Sequence, residues 1–218
     1  MARLPDLHRE DFDHEQLALY ERIRAASARV GDTFQHETTA ALLGPFNVFL
    51  HAPELGAGML DFGALVNDAG LTPMAGPGAG AEAAPADRPA PAGLSARTTE
   101  IVIMTVGAHW QAEFEWWGHM LQARVQGVDD AIIEAIAAGR DPEFDNDADR
   151  VMHAVARQLV ETGHIDDGVY AEAEAMLGRA GLVKVIGLCG YYTMVAFLLN
   201  GFDVDLPPGE ATRWRSPR

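Results

Sequence analysis

Apolar side chains recur every three or four residues through almost the whole of this chain, a spacing that suits helices and leaves little for a sheet. In "FDHEQLALYERIRAASARVG" the positions Leu17, Tyr20 and Ile23 keep that rhythm, and the run stops at Gly31. The stretch "DTFQHETTAALLGPFNVFLHAPELGAGMLDFGALVNDAG" reads as short helices punctuated by Gly44-Pro45 and by Pro53. Pro53 suits the first turn of the segment that ends at Gly70. From Leu94 onward "LSARTTEIVIMTVGAH", "WQAEFEWWGHMLQARVQG", "VDDAIIEAIAAG" and "DPEFDNDADRVMHAVARQLVETGH" continue the pattern, with stops at Gly127 and Gly139. "IDDGVYAEAEAMLGRAG" and "LVKVIGLCGYYTMVAFLLNGF" complete the set. The β-branched runs Ile101 to Met104 and Val183 to Ile186 each lie inside a longer helical pattern. No repeat of fixed period is present. The expected fold class is all-α, a bundle with an inner helix pair.

One stretch is made of different material. Residues 72 to 93, "TPMAGPGAGAEAAPADRPAPAG", are dominated by alanine, proline and glycine and hold almost no large apolar side chain. Such a composition predicts a flexible connection and not a packed element. It separates a helical segment, 1 to 71, from the core expected over 94 to 218, the two being expected to pack as one compact unit.

At 218 residues the chain is long enough to bury a core. Its formal net charge of −16 argues against nucleic acid, whose phosphates need a basic surface, and against an anionic membrane. The longest apolar run, Val183 to Leu199, is interrupted by Gly187, Gly190 and two tyrosines, so it is expected to be a core helix with no run of membrane-spanning length. The N-terminal "MARLPDLHREDFDHEQ" lacks an apolar signal core, and a cytoplasmic location is expected. The single cysteine, Cys189, allows no internal disulfide and sits in apolar "VIGLCGYY".

The stretch with most chemistry in it is "AEFEWWGHMLQAR". Glu115 and His119 are four residues apart and project from one face of a helix, which also carries the small residues Ala112 and Ala108. A carboxylate within reach would orient the imidazole, and imidazole is the side chain best suited to move protons near neutrality. Phe114, Trp116 and Trp117 cannot all face water cheaply, so aromatic walls are expected around the pair. Such walls raise a carboxyl pKa and make a better acid or base. The same spacing also occurs on solvated helices, where it is an ordinary surface pair. Glu100, at the edge of apolar "EIVIMTV", is a second candidate carboxylate. His109, Trp116 and Tyr191 are candidate substrate contacts, Tyr191 through a hydroxyl that could bind a carboxylate or satisfy a core hydrogen bond. His153 stands isolated and reads as a surface or packing residue. No CxxC, HExxH, phosphate loop or GxSxG is present, so neither metal nor cofactor is expected.

These segments resemble the carboxymuconolactone decarboxylase / alkylhydroperoxidase-D-like superfamily. The likeness runs through "LSARTTEIVIMTVGAHWQAEFEWWGHMLQARVQGVDDAIIEAIAAG" and "GLVKVIGLCGYYTMVAFLLNGFDVDLP", and "LLGPFNVFLHAPELGAGM" is similar to the family's opening segment. It implies an alkylhydroperoxidase-D-like helical bundle. Peroxidase members carry C-x-x-C-x-x-x-H with a glutamate upstream; laid on this chain, the histidine falls on His119 and the glutamate on Glu100. The two thiol positions fall on Ala112 and Glu115, so thiol-dependent peroxidase activity is not expected.

"FEWWGH" instead resembles the "YEW…H" pattern of the decarboxylase-like branch. That branch implies a cofactor-free lyase or isomerase acting on a small lactone or unsaturated carboxylic acid. His119 is then proton donor or electrophilic partner, Glu115 its orienter or a base, and Glu100 a relay. The resemblance also implies a homo-oligomer, whether dimer, trimer or hexamer. The competing expectations are an antioxidant alkylhydroperoxidase relative and a non-catalytic helical protein that binds a small molecule.

Overall fold

The computed structural model describes residues 2–27, 42–67 and 94–215. Among them are eight α-helices, one short 3₁₀ turn and no strand, so the chain is all-α. The expected loop over 72 to 93 lies outside the described residues. Contacts divide the chain into two compact units, Met1–Glu82 with Leu198–Arg218, and Ala83–Phe197. The last stretch groups with the N-terminal unit because hydrogen bonds tie it there. The Arg3 amide donates to the Phe202 carbonyl at 2.8 Å, and the Ala2 amide to Asp205 Oδ2 at 2.9 Å.

The first unit holds α1 (His14–Ser27), α2 (Pro45–Leu50) and α3 (Pro53–Val66). Proline opens both α2 and α3, where its missing amide hydrogen is no loss and its fixed φ favours the first turn. Tyr20, Ile23, Phe46, Phe49, Leu50 and Leu60 are buried in this unit.

The second unit is built on α4 (Ala96–His109), α5 (Glu113–Val125), α6 (Asp130–Ala137) and α7 (Asp147–Thr162). Ser95 caps α4 by accepting the Thr98 amide at 3.0 Å, and Asn146 caps α7 by accepting the Asp149 amide at 2.8 Å. Every residue from Thr98 to Gly107 is buried, so α4 is covered on all sides. It contacts α5, α6 and α7.

The last helix, α8 (Asp167–Gly201), kinks at Gly178, whose φ of 63° only glycine adopts without cost. Leu198 to Gly201 belong to the first unit. The expected break at Gly181 is absent: that residue is buried and helical. Gly187, Gly190, Tyr191 and Tyr192 do not interrupt the helix either. The expectation that no apolar run reaches membrane-spanning length is thereby corrected, since α8 is long and apolar enough by length and composition. Half of its apolar window is buried inside the protein.

Candidate active site

The turn from α4 to α5 builds the site. The Ala112 amide donates to the Gly107 carbonyl at 2.9 Å, and Gln111 takes a φ of 49° to reverse the chain. α5 then runs back along α4, which sets Glu115 beside Gly107 and His119 beside Glu100.

His119 Nδ1–H donates to Glu100 Oε2 at 2.8 Å. With Nδ1 so engaged, Nε2 is the ring atom left for proton exchange. The His119 side chain is 21% exposed, which gives it a route to solvent, while Glu100 is buried. The ring that the spacing paired with Glu115 is therefore held by Glu100, across two helices. Tyr192 adds an edge-to-face ring contact to His119, with centroids 4.9 Å apart, and Tyr191 packs against Tyr192 at 5.2 Å.

Glu115 is 3% exposed, and neither carboxyl oxygen has a hydrogen-bond partner. Burial pushes its pKa well above the ordinary 4.5, so it holds a proton far above the range of a solvated glutamate. Gly107 makes this possible, because a Cβ there would lie 3.1 Å from Glu115 Oε1. Tyr191 is near enough for the Glu115 charge to help raise its pKa, although burial is the larger cause. Phe114, Trp116 and Trp117 are all buried, with Phe114 and Trp117 ring centroids 5.4 Å apart.

The structure thus gathers Glu100, Glu115, His119 and Tyr191 in one neighbourhood and adds Tyr192 and Gly107. Sequence reasoning gave the Tyr191–Tyr192 pair a hydroxyl for a substrate carboxylate or a core hydrogen bond, and did not place Tyr192 beside His119. His109 goes elsewhere. It is exposed at the end of α4, packs on Trp110 and faces a cavity with His153 and Arg140. Among the described residues no group of three His, Cys, Asp or Glu side chains is placed to hold a metal ion.

Fold and site together define an all-helical protein with a buried, unpartnered carboxyl beside a carboxylate-held imidazole. No family model, curated protein or solved structure matches the chain.

Proposed function

We propose that this protein is a cytoplasmic acid–base enzyme of the carboxymuconolactone decarboxylase-like kind. It acts as a lyase or isomerase on a small lactone or unsaturated carboxylic acid, without a thiol. The observation that carries this reading is Glu115. A buried carboxyl with no partner destabilises a fold, and such groups concentrate where chemistry uses them.

The roles follow from the protonation states. Glu115, whose burial favours the protonated form, donates a hydrogen bond to the substrate carbonyl oxygen, where negative charge develops. In decarboxylation the electrons of the breaking carbon–carbon bond flow into that carbonyl and leave an enolate. His119, entering this step as the imidazolium with its Nδ1–H still on Glu100, then delivers the Nε2 proton to the carbon and takes another from solvent. In isomerisation His119 removes a proton from one carbon and returns it to another. Glu100 holds the ring in the tautomer that leaves Nε2 free.

A thiol peroxidase is disfavoured. Ala112 and Glu115 occupy the positions that would need thiols, and burial pushes the Cys189 thiol up to about 12, leaving no thiolate at neutrality. Self-association is part of the proposal. Val183, Ile186 and Phe197 are exposed on α8 at helical spacing, an apolar stripe that a second copy would cover.

The test is deuterium incorporation and carbon dioxide release from a panel of small lactones and unsaturated acids in D₂O. Turnover should fall about 10²- to 10⁴-fold in Glu115→Gln and in His119→Ala, each still folded. Wild-type inactivity across the panel, with ligand binding that His119→Ala leaves intact, would favour a binding protein instead. Robust reduction of cumene hydroperoxide with a thiol donor would overturn the assignment.

A further inference from the structure

We propose that a second site, formed by the C-terminal ends of α4 and α6 against α7, binds a small monocarboxylate. The site is a cavity of about 90 Å³ whose lining includes Thr105, His109, Arg140, His153, Arg157 and Glu161. It contains none of Glu100, Glu115, His119 or Tyr191, and the proposal does not depend on the activity assigned above.

Two groups lining this cavity have no hydrogen-bond or ion-pair partner for their side chains among the described residues. His153 is 5% exposed and among the described residues makes no hydrogen bond; its ring packs against Phe144 at a centroid distance of 5.3 Å. The imidazole is neutral at pH 7, because burial, and then the Arg157 charge, lower its pKa to about 4. A neutral ring carries one N–H donor and one acceptor nitrogen, neither of them paired to a described residue. Arg140 is the second group, with no carboxylate partner among the described residues.

The other charges are already matched. Arg157 donates through Nε to Glu161 at 2.9 Å, through Nη1 to Asp141, and through Nη2 to the Gly139 carbonyl at 3.2 Å. That last bond also covers a carbonyl at the end of α6, where the helix dipole would otherwise repel an anion. One guanidinium remains, so the complementary ligand carries one negative charge. A planar carboxylate fits a guanidinium fork and offers an oxygen to the imidazole N–H. A phosphate dianion would meet Glu161 and Asp141 with a charge too many. The volume admits a ligand of a few heavy atoms, such as acetate.

Acetate is the probe, titrated into the full-length protein at constant ionic strength against chloride. It should raise the melting temperature saturably, by roughly 3–6 °C at about ten times its Kd. It should also shift the His153 ring ¹⁵N resonances. Arg140→Gln, a change at an exposed side chain, should remove both effects, whereas His119→Ala should keep both. The proposal fails if acetate behaves like chloride, or if Arg140→Gln retains the response. Loss of the response in His119→Ala would place acetate at the other site and overturn it. A response to phosphate dianion or methylammonium in place of acetate would overturn the ligand class.

Discussion

Asp149 and Glu115 lie about equally deep in the second unit, 1% and 3% exposed, in opposite company. Asp149 receives the Arg97 Nε–H at 2.7 Å, the Thr98 hydroxyl at 2.8 Å and the Asn146 side-chain amide at 2.8 Å. Arg97 is itself tied to Asp145 and to the Gly127 carbonyl. Glu115 receives nothing. Around Asp149 the sequence supplies three donors, with both carboxylate oxygens satisfied, and the carboxylate pins the starts of α4 and α7 together. Around Glu115 it supplies aromatic rings and a glycine. The first arrangement explains stability; the second sacrifices some of it and is accounted for by chemistry at that carboxyl.

Mutation should separate the two in sign. Asp149→Ala leaves Arg97 without its buried partner and should lower unfolding free energy by about 3–5 kcal/mol in urea denaturation. A third buried group gives the next largest effect, through pH. His153 has a folded-state pKa lowered from 6.5 to about 4, so its contribution is present above pH 6.5 and lost as pH falls through 4. Stability measured across that window should drop by about 3 kcal/mol on its account, and His153→Leu should flatten that part of the profile.

Glu115→Leu should do the reverse of Asp149→Ala and stabilise by about 1–2 kcal/mol at pH 8, while abolishing turnover. The raised pKa of Glu115 fixes the sign of its pH dependence. Its contribution is fully present below the unfolded value of 4.5 and is lost as pH rises through the folded one. Wild type and Glu115→Leu should therefore lie closest at pH 4 and diverge towards pH 8. If Glu115→Leu proves as damaging as Asp149→Ala, the contrast between the two carboxyl groups is wrong.

The smallest effect is expected at Gly107. An alanine there gains helix propensity but crowds Glu115 Oε1 at 3.1 Å, so net stability should change by less than about 1 kcal/mol. A double-mutant cycle with Glu115→Gln should still show a coupling of about 0.5–1 kcal/mol, because the two positions touch.

Much of the helix punctuation was legible in the chain. Pro45 and Pro53 open α2 and α3, and Gly127 and Gly139 follow the ends of α5 and α6 with left-handed φ. Each of these depends on the backbone freedom of one residue and its immediate neighbours. Gly178 and Gly181 show the limit. Both are glycine within the same apolar pattern, and only packing makes the first a kink and the second a buried helical residue. In the site, Glu115 and His119 were visible through their shared face, and so were the aromatic rings that bury Glu115. The partner of His119 was not, because Glu100 lies nineteen positions away and no local spacing rule joins them.

The sequence by itself determined that the described chain is helical and that an acid and an imidazole share one face of α5. Periodicity and residue type act over a turn or two of backbone, and those facts need nothing more. Tertiary structure decided which carboxylate holds the imidazole and which has its pKa raised by burial. That choice depends on the donors that neighbouring helices bring within about 3 Å and on how completely they exclude water.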